Sequence, residues 1–275
     1  MTALPPLLPL LESVQALVEE VAAYQRAQFR RQAPGGGDEK SRCELVSAVD
    51  RHSEARLING LRRLLPGAGF YGEESGRHGD QGLCWVLDPL DGTTNFLSGL
   101  DQFSISVALQ QQGRSLLGLV YRPANGESFR GWRGGELQHN GVALPPCDPR
   151  FTLDRALLGT GFPYRSADLA PAFFACAAEV LPQSRGIRRM GSAALDLSYV
   201  AAGFLQGFWE ADLQPYDVAA GLLLLELSGC VASNERGAPY RQGIDRVLVC
   251  GWPAVQAELV QRVGRHYGAV MPAQP

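Results

Sequence analysis

Residues 85–96 read Trp-Val-Leu-Asp-Pro-Leu-Asp-Gly-Thr-Thr-Asn-Phe, WVLDPLDGTTNF. An apolar run suited to a buried strand ends in two aspartates three residues apart. Like charges at a strand end repel unless a cation sits between them. Pro89 stops the strand from simply continuing its hydrogen-bond ladder, Gly92 permits a close backbone approach, and Thr93 and Thr94 can open a helix whose free N–H groups suit an anion such as phosphate. Two hard oxygen ligands therefore stand beside a phosphate cradle, a combination that fits Mg²⁺ shared with a substrate phosphate. An Asp-Gly turn with a helix cap explains the same residues, and on this segment alone the two readings stand level.

Working outward, the segment before this run, Tyr71-Gly72-Glu73-Glu74-Ser75, places two glutamates in a glycine-containing loop. Farther on, 209–217 (Trp-Glu-Ala-Asp-Leu-Gln-Pro-Tyr-Asp) again ends an apolar strand in acid. Asp217 falls in the first turn of the following helix, where its charge also suits the helix dipole. Glu73 and Glu74 taken singly read as solvated loop charges, and Asp50 reads as the N-cap of a helix carrying Leu57, Ile58, Leu61 and Leu64.

The remaining pattern alternates elements. Leu7, Leu10, Leu11, Val14, Leu17, Val18 and Val21 form a helical stripe within 7–30. Strands are expected at 83–87, 103–109 and 116–122, the second half-buried. The second half reads as α/β: strands at 156–160, 186–189, 207–211 and 246–250, and helices near 169–181, 192–202, 215–228 (closed by Gly229) and 253–264. The division expected is an N-terminal part, 1–150, carrying most of the acidic motifs, and a C-terminal part, 151–275, in one compact unit.

Composition narrows the function classes. The 275 residues are 45% hydrophobic and 19% charged, which supports a core and excludes disorder, and a net charge of −3 argues against a nucleic-acid or membrane-surface binder. Cysteines at 43, 84, 147, 176, 230 and 250 form no CxxC pair and read as reduced thiols of a cytoplasmic protein. His52, His78, His139 and His266 show no metal-ligand spacing. Gly35-Gly36-Gly37 is not a P-loop, because no Gly-Lys-Ser/Thr follows.

Four blocks in order, GEES at 72–75, WVLDPLDGTTNF at 85–96, GIRRMGSAALDLSYVAAG at 186–203 and WEADLQPYDVAAG at 209–221, resemble the inositol monophosphatase family of magnesium-dependent, lithium-sensitive phosphatases. The resemblance covers nearly the whole chain and is nearest to the bacterial inositol-1-monophosphatases. It implies a layered αβαβα sandwich, usually a homodimer, using two or three Mg²⁺ ions. By resemblance, Glu73, Asp88 and the Leu90 carbonyl ligate a first ion, Asp88, Asp91 and Asp217 a second, and Glu73 with water a third. Thr93 with Glu73 activates the attacking water, and Asp50 supports the water network. Gly92 and Thr93 hold phosphate. Gly191, Ser192, Ala193 and Glu210 meet the alcohol portion, with Asp91 and Asp217 nearby.

Departures from the family pattern are Tyr216 for Trp, Leu90 for Ile, Ser192 for Thr, and Glu39 where a loop lysine is usual, with Lys40 adjacent. The shared motifs do not separate inositol monophosphate from histidinol phosphate, 3′-phosphoadenosine-5′-phosphate or fructose-1,6-bisphosphate. Glu210 suits a hydrogen bond from a substrate hydroxyl and favours a polyol, although its charge also suits a cationic amine such as that of histidinol. Some bacterial relatives also assist transcription complexes. The segment 31–40 is expected to be a mobile lid that orders with cation and phosphate.

Overall fold

The computed structural model describes residues 4–31, 38–41, 44–46 and 48–270. In chain order the elements begin with helix α1 (Leu7–Gln28), a short hairpin of β1 (Asp38–Ser41) and β2 (Glu44–Val46), and α2 (Ala48–Leu64). Then follow β3 (Gly69–Gly72), β4 (Gly76–His78), β5 (Leu83–Asp91), α3 (Thr93–Leu97), β6 (Ser104–Gln111), β7 (Arg114–Arg122), β8 (Glu127–Trp132), β9 (Leu137–His139) and β10 (Val142–Ala143). The second half holds β11 (Leu157–Thr160), α4 (Ala170–Val180), β12 (Gly186–Arg188), α5 (Ala193–Ala202), β13 (Gly207–Ala211), α6 (Pro215–Ser228), β14 (Val231–Ser233), β15 (Val247–Gly251) and α7 (Pro253–Tyr267).

Two sheets carry the layers. The larger runs β10-β9-β8-β7-β6-β5-β3-β4 and the smaller runs β12-β11-β13-β15-β14. Residue parity sorts the faces of the larger sheet, because side chains alternate along a strand. On β5 and β6, Trp85, Leu87, Ile105, Val107 and Leu109 face α1, whose Leu10, Leu11, Val14, Val18 and Val21 form the stripe read from the sequence, and Leu57 and Leu61 of α2. The opposite parity, Cys84, Val86 and Ala108, packs against α5 and α6, and the far side of those helices meets Phe208, Leu248 and Cys250 of the smaller sheet. α4 and α7 cover the last face through Phe173, Cys176, Leu259 and Val263. The result is the expected αβαβα sandwich.

β6 is not half-buried, as its alternation suggested. Ser104, Ser106 and Ala108 are as buried as the larger residues between them. They are small because helices press on that face: a Cβ on nearby Gly118 would lie 3.1 Å from the Ala220 backbone of α6. The smaller polar residues mark a close helix contact, not solvent.

Three further differences concern the site. β5 does not stop at Leu87 but runs through Pro89 to Asp91. Asp50 lies in the first turn of α2, two residues inside its start, and is not the N-cap. The segment read as an unstructured lid ends in the antiparallel hairpin β1–β2, with β2 beside α3. Residues 32–37, including the triple glycine, lie outside the described residues.

Candidate active site

The two aspartates of β5 reach one place because the strand carries a bulge. Asp88 pairs with Ser106 of β6 and Asp91 with Ser104, so three steps on β5 oppose two on β6. An extra residue inverts the side to which everything beyond it points. Without it, Asp91 would face α1 with Trp85 and Leu87; with it, Asp91 turns to the side of Asp88. Pro89 fits because a bulge needs no ladder donor there. From the opposite layer, buried Gln25 of α1 donates to the Pro89 carbonyl at 2.7 Å. Leu90 packs with Val49, Phe96, Leu97 and Phe103 in a small core of its own.

Helix starts supply the rest. Asp91 Oδ2 accepts from the Ser192 hydroxyl at 2.6 Å and the Ala194 N–H at 2.8 Å, both at the opening of α5. Ser192 is the N-cap of that helix, accepting from Leu195 N–H, and its Oγ lies 3.1 Å from Ser104 Oγ. Asp217 sits at the third position of α6, where its Oδ2 accepts from the Gln214 N–H at 2.7 Å in a reciprocal capping box. One carboxylate oxygen from each of Asp88, Asp91 and Asp217 lies within 4.8 Å of the others. β3 runs parallel to β5 and delivers Glu73 to the same end, with the Glu73 N–H bonded to the Leu87 carbonyl at 3.3 Å.

The electrostatics are those of a site built for cations. Burial, then the charges of Glu73, Asp91 and Asp217, push Asp88 well above the ordinary carboxylate range. Burial also raises Asp91, against the lowering effect of its Ser192 and Ala194 bonds. Asp217 is pushed up to about 8 by burial and Asp91, with Arg165 acting the other way. Such a cluster holds protons until positive charge replaces them.

Thr93 opens α3 after Gly92, whose φ of +94° is a left-handed conformation. A Cβ there would also crowd the Gln102 and Gly191 carbonyls. The Thr93 hydroxyl donates to Asp50 Oδ1 at 2.7 Å, with the Leu90 carbonyl oxygen 3.1 Å away. Asp50, fully buried, thus touches the site through Thr93. Gly191, Ser192, Ala193 and Glu210 line the same cavity of about 270 Å³, which is also bounded by Glu73, Asp88, Leu90, Asp91, Gly92, Thr93 and Asp217. Glu210 is raised to about 8, chiefly by burial. The residues that the resemblance makes ligands, catalysts or substrate contacts therefore line this cavity, except Asp50.

Several residues escaped the sequence reading. Asn95 joins two walls, its amide donating to the Gln102 carbonyl at 2.6 Å and the Met190 carbonyl at 2.7 Å. Asp196, Arg165 and Arg189 also line the cavity. Buried Glu54 accepts from the N–H groups of Glu74 at 2.9 Å and Ser75 at 2.8 Å, anchoring the loop that carries Glu73. Its spacing of four from Asp50, one turn along the same helix face, was the available signal. Replacing Glu54 by alanine strands two N–H donors beside a void. The expected cost is about 2 kcal/mol of stability in chemical denaturation, together with a raised Mg²⁺ requirement for turnover. Unchanged values for both would remove Glu54 from the site's support.

Known proteins match both the sequence and the fold. A family model for the inositol monophosphatase family matches residues 7–266. The Nus factor SuhB of Escherichia coli (strain K12) is 40% identical over 219 residues, 79% of this chain and 81% of that protein. An inositol-1-monophosphatase of Mesorhizobium japonicum is 35% identical over 262 residues, 94% of each. Among solved structures, the extragenic suppressor protein suhB from Bartonella henselae superposes with a TM-score of 0.85 at 31% identity, covering 93% of this chain and 98% of that one. The inositol monophosphatase from Anabaena (Nostoc) sp. gives 0.83 at 29% identity, covering 94% and 97%. With the carboxylate cluster, the layered fold and a family match over almost its full length, the chain belongs to the inositol monophosphatase family.

Proposed function

We propose that the protein is a magnesium-dependent phosphomonoesterase that hydrolyses inositol monophosphate to inositol and phosphate. The observation that carries this reading is the convergence of Asp88, Asp91 and Asp217 on one cavity. Three carboxylate oxygens within 4.8 Å of one another form a hard-oxygen donor set suited to Mg²⁺. In the proposed assignment, Glu73, Asp88 and the Leu90 carbonyl hold one ion, Asp88, Asp91 and Asp217 a second, and Glu73 contributes to a third. Magnesium held there supplies Lewis-acid chemistry, acidifying water and offsetting phosphate charge.

The chain's own groups do the rest. The Thr93 hydroxyl, already donating to Asp50, accepts the proton of the attacking water as its own proton moves toward Asp50, with Glu73 orienting that water. The backbone at Gly92 and Thr93 cradles the phosphate. The new P–O bond forms as the ester P–O bond breaks in line; the departing oxygen takes a proton from solvent water, the proton released from Asp50 neutralises the hydroxide so formed, and the alcohol leaves toward Gly191, Ser192, Ala193 and Glu210. Arg165 and Arg189 beside Glu210 favour a polyol over the cationic amine of histidinol phosphate.

Phosphate release in Mg²⁺ from inositol 1-phosphate, histidinol phosphate, 3′-phosphoadenosine-5′-phosphate and fructose-1,6-bisphosphate tests the substrate. The highest kcat/KM is expected for inositol 1-phosphate; a preference for any of the other three esters would overturn the substrate assignment. Li⁺ is expected to inhibit uncompetitively, because an ion binding after hydrolysis retains phosphate, and insensitivity across a Li⁺ titration would count against the carried-over geometry. The lid reading of 31–40 belongs to the same proposal, supported by the position of β2 beside α3. Shortening Gly35–Gly37 is expected to raise the Mg²⁺ requirement at unchanged Tm; an unchanged requirement would make the segment a linker.

A second reading rests on the relatives named Nus factor SuhB. The protein would then bind a transcription complex as well, which co-purification with RNA polymerase from the native host tests. A homodimer is part of the proposal and is checked by sedimentation equilibrium.

A further inference from the structure

Away from the cavity, two free thiols meet at the far end of α6. Cys147 lies on the connection that leads from β10 into the second half of the chain, and Cys230 follows the glycine that closes α6. Three contacts dock the first against the second. The Cys147 N–H donates to the Ser228 carbonyl at 2.8 Å. A Cβ placed on Gly229 would lie 3.8 Å from Cys147 Sγ, so that sulfur rests directly over the glycine. The Cys147 and Cys230 side chains are themselves hydrogen-bonded.

Cys230 is held in place for this contact. Gly229 turns the chain at a φ of +80°, and the Cys230 N–H donates back to the Leu225 carbonyl at 3.0 Å. Ser228 Oγ lies 3.2 Å from Cys230 Sγ. Both cysteines are half-buried, so a small oxidant reaches them from solvent. Cys250 of β15 also senses Cys230 but is fully buried and closed to such an oxidant.

The two thiols are not equivalent. Their hydrogen bond favours ionisation of Cys147 and opposes that of Cys230, so Cys230 donates and Cys147 ionises first. Burial raises both, Cys230 to about 12. Thiolate is the reactive form, so oxidation here is slow and answers sustained exposure, not a brief pulse.

We propose that Cys147 and Cys230 are a peroxide-oxidised pair whose disulfide clasps the start of the second half of the chain to the end of α6. The Cys147 thiolate attacks hydrogen peroxide; the O–O bond breaks, an S–O bond forms, and the departing hydroxide takes the thiol's proton to become water. The Cys230 thiolate then attacks the Cys147 sulfenic sulfur. The S–S bond forms as the S–O bond breaks, and the second hydroxide leaves as water with the Cys230 proton. Two thiols lose two electrons, and one peroxide becomes two waters. The bridge closes a loop of about eighty residues, long enough for a large restriction of the unfolded chain.

The test uses the full chain. Reduced protein is incubated with hydrogen peroxide in molar excess, the remaining thiols are blocked with N-ethylmaleimide, and the disulfides are located by non-reducing peptide mapping. A Cys147–Cys230 bridge is expected, with a Tm about 5 °C or more above that of the reduced protein and full reversal by dithiothreitol. Cys147→Ser should lose both the bridge and the rise. Each protein is compared with its own reduced form, so a change in a variant's basal stability does not enter. No bridge, a bridge that uses other cysteines, sulfinic acid at Cys147 without a bridge, a bridge with no rise in Tm, or a rise that persists in Cys147→Ser each overturns the clasp.

Discussion

Asp91→Asn is expected to lower turnover on the order of a thousandfold, because it removes one charge from a cation site whose contribution to the transition state is several kcal/mol. The fold should not suffer. The asparagine carbonyl can still accept from the Ser192 hydroxyl and the Ala194 N–H that now meet Asp91. Loss of the charge also relieves Asp88 and Asp217, each of which Asp91 pushes toward the protonated form. The Tm of the metal-free variant should therefore equal or exceed that of the parent. Near-normal kcat at ordinary Mg²⁺ would sink the assignment, and a large fall in Tm would make Asp91 a structural residue first.

The second large effect is on stability against pH in the absence of metal. Asp217 and Glu210 are both raised to about 8 from ordinary values near 4. For a raised carboxyl the folded state holds a proton that the unfolded chain releases. The associated stability is complete below the unfolded pKa and is lost as pH rises through the folded one. Each such group costs about 1 kcal/mol per pH unit across that window. Denaturant midpoints in chelator should fall from pH 5 to pH 8, and added Mg²⁺ should restore more stability at the upper end than at the lower. A flat profile in chelator, or a Mg²⁺ effect independent of pH, would show that these carboxyls are not proton-loaded in the metal-free fold.

The legible part of this protein was its ligand chemistry and its regular elements. β13 and α6 fall where 207–211 and 215–228 were expected, because an apolar strand, a proline at the first helical turn and a closing glycine are local signals. The carboxylates were legible because their order and spacing matched a family. What lay hidden was set by contacts between layers. The burial of Ser104 and Ser106 depends on helices that arrive more than eighty residues later in the chain. Glu54 reads as a helix-surface charge until the Glu74–Ser75 turn folds over it. Arg165 sits outside every quoted motif and Arg189 lies in the 186–203 block with no role that its spacing assigns; the tertiary fold brings both into the same cavity.

The bulge in β5 sets what can be moved from this protein to another. Were the same residues paired evenly with β6, with no bulge, the regular alternation would send the second carboxylate into the hydrocarbon packing beneath α1. The transplantable unit is therefore larger than the pair of acids. It comprises the interrupted strand, the proline that tolerates the interruption, and the Gln25 amide that props it from the neighbouring layer. A designer who copied Asp-x-x-Asp onto a flat, evenly paired strand would reproduce the spelling of the site with one of its two charges facing the wrong way.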